Sequence, residues 1–406
     1  MDDRGQPLGL IGWLLAAYIF CLPIQFQSGI GFRLAPSDLC LLFMLLCGIS
    51  KLKLRRTTWS IWHFGIVITF AIGTYVALIH NGTLSRYELV QKDIGLLALF
   101  LGYAVVTTHI DSWAKLRMVM KLFLVSVALQ NAFVLGVYVS GVDVAWMNTF
   151  HPRVSGMLVD PNAYGGLLVV AFAFHILTFY NQRPLIPGYW GMFTTITLAI
   201  GILLTYSRSA WIGMVLVLLV VLVIRPVYAW RMLLVFVTAV GLVVTVFGKN
   251  NLEVIVNLAR RPDQIAARID ILRDAVAMFA EKPLFGVGLG TFAEQENVII
   301  HNSPAWFLTE FGLFGFVMFI GFMSWFLLVG ISVYQKLDAS DKPLILALLL
   351  AHVAMLGLSL GIEAFYQRHW WLVFALIASP LTILRESEKT TIRVRSVSNE
   401  LYRYSL

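Results

Sequence analysis

One histidine stands where proton transfer would be possible. His301 is followed by Asn302, Ser303 and Pro304, and then by an apolar run that contains Glu310. Ser303 and Pro304 are typical of an N-cap and a first helical position, so we expect His301 to lie just before a helix. The partial positive charge of a helix N-terminus disfavours imidazolium. The sequence therefore predicts a neutral histidine that acts as a general base, with Asn302 and Glu310 as supporting residues.

Arginines occupy three other polar segments of the chain. Arg208 follows Tyr206 in a short turn between two apolar runs, and an arginine so close to hydrocarbon needs a partner. Asp160 and Pro161 are typical of a helix start, which does not explain the nearby Arg153. Three arginines are candidates for an anion site, Arg153, Arg208 and Arg268, and Arg273 and Tyr206 are expected in supporting roles.

Together these residue types suit transfer of a sugar from a lipid diphosphate. Guanidinium groups match phosphate oxygens with paired hydrogen bonds, and they would stabilise the departing diphosphate. Base catalysis by His301 would contribute about 10² to 10⁴ in rate. The segment 25–36 contains no acidic residue, and Glu294 and Glu296 form the close acidic pair among the predicted outside segments. We therefore expect a reaction that needs neither a metal nor a cofactor.

The composition places these segments at a membrane. Of the 406 residues, 59% are hydrophobic and only 13% are charged, a balance that soluble domains do not show. Apolar runs of roughly 17 to 25 residues recur, and each could cross the hydrocarbon core as a helix. We predict an all-α integral membrane protein with about twelve transmembrane helices. The predicted spans are 8–26, 37–50, 59–79, 89–107, 116–139, 162–180, 189–204, 210–224, 232–247, 304–333, 343–360 and 370–384.

Basic residues predict the orientation of these spans. If the N-terminus is cytoplasmic, lysine and arginine cluster in the inside connections, which obeys the positive-inside rule. The net charge of +8 is then a topology signal and not a sign of nucleic-acid binding. Both termini are predicted to be cytoplasmic, and the candidate residues face the outside. The inside set is Lys51, Lys53, Arg55, Arg56, Lys115, Arg117, Arg183, Arg225, Arg231, Lys336, Lys342 and the tail from Arg385.

One outside connection, 248–303, is much longer than the others. Its residues Ile265, Ile269, Leu272, Val276 and Phe279 recur at helical spacing, which predicts an amphipathic helix on the outer membrane face. The glycine-rich run 286–290 is not taken as a dinucleotide site, because no strand is expected before it and no helix directly on it. The predicted divisions are 1–247 with nine helices, 248–303 as a periplasmic loop, 304–385 with three helices, and 386–406 as a basic cytoplasmic tail.

Four pieces of the sequence together resemble the O-antigen ligase and Wzy-type polymerase superfamily. They are Ser-Arg-Ser-Ala-Trp at 207–211, Arg-Ile-Asp-Ile-Leu-Arg-Asp-Ala at 268–275, Pro-Leu-Phe-Gly-Val-Gly-Leu-Gly-Thr-Phe at 283–292, and His301-Asn302 with Glu-Phe-Gly at 310–312. Leu272 stands where an aromatic residue is common in relatives. The resemblance implies a bacterial inner-membrane transferase of the GT-C type, which moves a glycan from undecaprenyl diphosphate at the periplasmic face.

The same resemblance implies roles for particular residues. Arg208 and Arg268 match the diphosphate-binding arginines, Arg153 matches less well, and His301 matches the catalytic histidine. A ligase passes the glycan to lipid A-core, whereas a polymerase passes it to a second lipid-linked repeat, and both need the same donor site. A secondary transporter also suits twelve helices, but transporters place ionisable residues near the midplane, and here the candidates share one face.

Overall fold

A computed structural model of the chain shows a bundle of α-helices. It describes residues 9–25, 35–48, 56–81, 92–142, 153–158, 160–224, 226–246 and 262–404, and these ranges contain no strand. The helices are α1 (Leu10–Cys21), α2 (Pro36–Gly48), α3 (Ile61–Asn81), α4 (Ile94–His109), α5 (Trp113–Ser140), α6 (Pro161–Phe179), α7 (Gly188–Leu204), α8 (Arg208–Ile224), α9 (Pro226–Val246), α10 (Pro262–Glu281), α11 (Thr291–Glu296), α12 (Ser303–Lys336), α13 (Lys342–Ser359) and α14 (Arg368–Tyr404).

The helices fall where the apolar runs predicted them. Within the described residues a helix lies at each of the twelve predicted spans, and α10 lies in the long connection. Five of the described helices, α3, α5, α6, α12 and α13, are long and apolar enough to cross a membrane, and α1, α2, α4, α7 and α8 are shorter apolar helices. The all-α membrane class is therefore confirmed, whereas the count of twelve spans stays a prediction.

The last helix is longer than the hydropathy pattern indicates. The predicted span ends at 384, but α14 continues to Tyr404 through the segment predicted as a separate tail. The sequence after Arg385 is polar but contains neither glycine nor proline. A helix can continue through this segment, because glycine and proline are the residues that most disfavour a helix and an apolar composition is not required.

The centre of the bundle is α6, whose side chains are buried almost all round. It packs against α7, α8 and α13, while α13 also contacts α8, α12 and α14. A helix that is apolar on every face is stable only when it is enclosed, which explains the absence of a polar stripe on α6. Its first residues, Asp160 and Pro161, are consequently held at a defined position at one end of the bundle.

Connections between the helices alternate between two ends. At one end Arg117 donates to the carbonyl of Arg183 and pairs with Asp341 at 3.5 Å, so three connections meet there. At the other end the N–H of Val154 donates to the carbonyl of Leu204 at 3.0 Å. We call this second end, where α6, α8 and α12 begin, the site end.

Helix α12 is interrupted near the site end. Gly312 has φ 65° and ψ −165°, a backbone conformation that only glycine adopts freely. In a regular helix the N–H groups of Leu313 and Phe314 would bond to the carbonyls of Thr309 and Glu310. Here they donate instead to the carbonyls of Pro283 and Leu284, at 2.8 and 3.1 Å.

The carbonyls released by this break are also satisfied by the glycine-rich segment 283–290. The N–H groups of Val287 and Gly288 donate to the carbonyls of Thr309 and Glu310, at 3.1 and 3.0 Å. The segment is thus inserted into the hydrogen-bond ladder of α12. A Cβ at Gly288 would lie 2.5 Å from the backbone nitrogen of Ala77 on α3, so the insertion requires a residue without a side chain.

Replacing Gly312 should therefore destabilise the protein. A Cβ there would lie 2.5 Å from backbone atoms of Gly286 and Leu284, and the conformation itself costs about 1 to 3 kcal/mol for other residues. We expect Gly312→Ala to lower the melting temperature in detergent clearly. The matched control is Gly357→Ala on α13, where a Cβ meets nothing within 4 Å. That control should be neutral or slightly stabilising, and equal melting of both variants would contradict the inserted geometry.

Candidate functional site

His301 lies at the site end, immediately before the cap of α12. The N-cap is Asn302, whose side chain accepts from the N–H of Ala305 at 2.8 Å, so the prediction that Ser303 caps the helix is wrong. Ser303 instead donates to the carbonyl of Ile362 and accepts from the N–H of Ala364, because the segment before α14 lies against it. His301 is half-buried.

The electrostatic surroundings keep the imidazole of His301 neutral. Burial lowers its pKa, and the nearby guanidinium of Arg268 lowers it further, while Asp160 and Glu363 oppose the shift. The direction agrees with the sequence prediction, and burial and a facing arginine cause it. A neutral ring with an accessible edge can accept a proton.

Arg268 reaches the site from α10. It lies seven residues before Ala275, and residues seven apart share one face of a helix. Ala275 is buried against α12, where its carbonyl accepts from Oγ1 of Thr309 at 3.1 Å. Arg268 is exposed, and it makes no hydrogen bond or ion pair with any residue that the structure describes. Its guanidinium is therefore available to an external anion.

Other residues of the long connection are placed differently. Arg273 pairs with Asp270 of its own helix at 3.2 Å, and both are exposed on the face away from α12. The predicted amphipathic helix exists, but α10 packs through Ala275 and Met278, while Ile269 and Val276 are 51% and 59% exposed. Part of the predicted apolar stripe, Ile269 and Val276, is therefore turned away from the bundle, whereas Leu272 and Phe279 are half-buried. Arg260 and Arg261 lie outside the described residues.

Arg208 begins α8 and is exposed. It also lacks a hydrogen bond or ion pair within the described part of the chain. The turn before it holds Tyr206 at φ 47°, a strained conformation for a tyrosine that the turn imposes. Burial, followed by the charge of Tyr138, raises the pKa of the Tyr206 phenol to about 12, so it remains a hydrogen-bond donor.

Arg153 has a different environment from Arg208 and Arg268. Its Nε donates to the carbonyl of Thr205 at 2.9 Å, and Nη2 donates to Oδ1 of Asn162 at 2.8 Å. Asp160 caps α6 as predicted, accepting from the N–H of Asn162 at 3.0 Å. Arg153 therefore joins the end of α7 to the start of α6, which fixes the positions of Asp160 and Arg208.

The segment between α13 and α14 contacts the residue after His301 and the residue after Arg208. Its Leu360 carbonyl accepts from Nδ2 of Asn302 at 3.0 Å. On its other side, a Cβ at Gly361 would lie 2.5 Å from Oγ of Ser209, the residue after Arg208. His301 and Arg208 therefore lie on either side of one short segment. The starts of α6, α8 and α12 meet around it, with α10 beside them.

Two residues near His301 were not singled out from the sequence. Lys92 and Glu363 form an ion pair, and both side chains are about nine-tenths buried. The ammonium group also lies over the rings of Trp306 and Tyr366, 4.6 and 4.8 Å from their centroids. A signal existed, because Lys92 lies inside the predicted span 89–107, where a charged residue is costly and needs a partner.

Glu310 belongs to the inserted glycine segment more than to His301. It is 3% exposed and accepts from the N–H of Gly290 at 2.9 Å and from Nε1 of Trp306 at 2.6 Å. Gly290 is the N-cap of the short helix α11, so the expectation that no helix begins directly on the glycine run is wrong. Glu310, which lies on α12, therefore links this helix to the end of the glycine segment at Gly290.

The family comparison covers the part of the chain that carries most of these residues. Residues 193–320 match the model of the family described as O-antigen ligase. This region is therefore similar to the O-antigen ligase family. It contains Arg208, Arg268 and His301 as well as the glycine segment and the break at Gly312, so the superfamily predicted from the sequence is confirmed. No curated protein matches the chain at a significant level.

The two exposed arginines of the region that matches the O-antigen ligase family, Arg208 and Arg268, are predicted to bind a diphosphate. A lysine keeps the charge but not the paired hydrogen bonds, each worth about 1.5 to 3 kcal/mol when charged. We expect Arg208→Lys and Arg268→Lys each to weaken binding of a short polyprenyl diphosphate roughly tenfold or more, measured by calorimetry in detergent. Arg273→Lys, on the opposite face of α10, is the control and should bind normally. Unchanged binding in the first two variants would leave them as anchors only.

Proposed function

We propose that this protein is a ligase-type glycosyltransferase that moves a glycan from undecaprenyl diphosphate to a hydroxyl of lipid A-core. The observation that carries the proposal is a half-buried His301 beside the exposed guanidinium of Arg268, inside the O-antigen ligase match; among the described residues this guanidinium has no hydrogen bond or ion pair. A proton acceptor and an anion ligand are thereby adjacent, which is what this transfer needs.

In the proposed reaction His301 takes the proton of the acceptor hydroxyl while the oxygen attacks the anomeric carbon. The bond between that carbon and the diphosphate oxygen breaks, and the diphosphate leaves with the electron pair, so the configuration inverts. Arg208 and Arg268 bind the departing diphosphate through charge-assisted hydrogen bonds. The N-terminal ends of α6, α8 and α12 add positive partial charge at the same place.

The proposed orientation puts the site end in the periplasm and both termini in the cytoplasm of a bacterial inner membrane. Support comes from the opposite end, where Lys115, Arg117, Arg183 and Lys342 lie in connections that meet one another. Such clustering marks a cytoplasmic face. A GT-C-type enzyme with this orientation would meet its lipid-linked donor in the outer leaflet of that membrane.

A transfer assay in detergent tests the proposal. We expect purified protein to move a labelled glycan from its lipid diphosphate to lipid A-core, at an undiminished rate in EDTA because the proposed mechanism uses no metal. Transfer only to a second lipid-linked repeat would identify a polymerase. No transfer to either acceptor, with gradient-dependent movement of the lipid-linked glycan in vesicles, would identify a transporter. Loss in EDTA that magnesium restores would redirect attention to Glu294 and Glu296.

His301→Ala should abolish transfer but not donor binding, because the arginines that bind the diphosphate are separate residues. Burial and Arg268 lower the pKa of His301, so the ring is neutral at neutral pH and becomes protonated only on acidification below its usual range. Wild-type transfer should fall as the pH drops through that lowered pKa, since imidazolium cannot accept a proton.

The measurement is donor binding and single-turnover transfer for both proteins across a pH series. If His301→Ala transfers at a near wild-type rate, or has lost donor binding as well, another group is the base.

A further inference from the structure

Glu363 is held beside His301 by the backbone of its own segment. The carbonyl of Ile362 and the N–H of Ala364 both bond to the hydroxyl of Ser303, at 3.1 and 2.8 Å. Glu363 lies between these two anchored residues. Their partner, Ser303, is two residues after His301 in the chain. Its carboxylate interacts electrostatically with the imidazole. The main-chain groups on both sides of Glu363 and the Ser303 hydroxyl set this placement, whatever rotamer the Glu363 side chain adopts.

The carboxylate of Glu363 has one strong partner of its own. Lys92, from the start of α4, pairs with it, and the lysine is confined between the rings of Trp306 and Tyr366. The phenol of Tyr366 donates to the Lys92 carbonyl at 3.0 Å, which fixes the backbone as well. The pair lines a small cavity together with Glu310 and Trp306. A lysine so enclosed has few alternative positions.

Charges face His301 from three directions. Arg268 approaches from α10, Asp160 from the start of α6, and Glu363 from the segment before α14. The carboxylate of Asp160 already accepts two hydrogen bonds from Asn162 and serves as the α6 cap. When His301 takes a proton, the new cation stands half-buried next to Arg268, an unfavourable position unless a carboxylate compensates.

We propose that Glu363 is a positioning residue that stabilises the protonated form of His301 during transfer, and that Lys92 limits this stabilisation by neutralising the carboxylate. The inference rests on the proposed function. In the reaction the acceptor proton moves to the imidazole and later to water, and Glu363 neither gains nor loses an atom. The Lys92–Glu363 pair thereby sets how basic His301 is, without touching donor or acceptor.

The two partners should act in opposite directions. Removing the carboxylate by Glu363→Gln withdraws a negative charge, so His301 should protonate at lower pH than in wild type. Removing the ammonium by Lys92→Met leaves the Glu363 carboxylate uncompensated, so His301 should protonate at higher pH. A purely structural ion pair predicts that both variants lose stability and that neither moves the titration of His301.

The protonation of His301 can be followed without transfer activity. Diethyl pyrocarbonate modifies neutral imidazole, and the chymotryptic peptide 293–306 contains His301 and no other histidine. We expect the midpoint pH of modification, measured on the full-length protein in detergent, to rise in the order Glu363→Gln, wild type, Lys92→Met. Lys92→Arg, which keeps the charge, should stay near wild type.

Two further variants control for misfolding and for the loss of any carboxylate at the site end. The double change Lys92→Met with Glu363→Gln leaves no unpaired buried charge, so it should remain folded, and His301 should titrate between the two single variants because both charges are absent. Asp38→Asn removes a different carboxylate at the site end, one that pairs with Arg368 at 2.7 Å, and should leave His301 unchanged. Shifts in the same direction for both single variants, or a double variant that titrates outside the range of the two single variants, would overturn the proposal.

The transfer assay separates this inference from the proposed function. The low-pH limb of transfer should move in the same order as the modification midpoints. If wild-type protein transfers no glycan, the function fails while the modification series still tests the contact with Glu363. If transfer proceeds and the order is absent, only the role of Glu363 and Lys92 fails.

Discussion

The exchange of backbone hydrogen bonds at Gly312 holds the site end together. Two N–H groups of α12 bond to residues 283–284, and two N–H groups of residues 287–288 bond to the carbonyls that the break releases. Unsatisfied backbone groups are costly inside a protein and more so in hydrocarbon, so the break and the inserted segment stabilise each other. The break at Gly312 therefore requires the inserted segment, and the inserted segment requires the carbonyls that the break releases.

This insertion determines the approach of α10 and α12 to one another. The glycine segment follows α10 directly, so anchoring it in α12 brings the buried face of α10 against Thr309 and leaves Arg268 beyond the contact, near His301. Glu310 secures the same junction from within, through Gly290 and Trp306. Trp306 then forms one wall around Lys92. The backbone arrangement at the glycine segment therefore determines where the charged groups around His301 lie.

The separation between bound and free arginines gives the site its chemical character. Arg153 donates hydrogen bonds to Thr205 and Asn162 and so orders the starts of two helices. Arg208 and Arg268 make no hydrogen bond within the described part of the chain. An exposed guanidinium at a helix start favours an anion, because both the charge and the free N–H groups point to it. Three helix starts around one half-buried imidazole suit an anionic leaving group and a neutral base.

Hydropathy and spacing alone predicted the apolar helices and α10, though not α11 or the extension of α14, since a span of apolar residues in lipid must satisfy its own backbone bonds and has few alternatives to a helix. The same local patterns identified His301, Arg208 and Arg268 as chemically unusual, because polar residues near hydrocarbon are costly. Local patterns could not reveal that Asn302 caps α12, that α12 breaks at Gly312, or that α10 buries Ala275 and leaves Val276 exposed, since each depends on residues distant in the chain. The ion pair of Lys92 and Glu363, 271 positions apart, exists only after folding brings α4 and α14 together. Tertiary structure therefore decided which charges face the histidine, because electrostatic interactions follow distance in space.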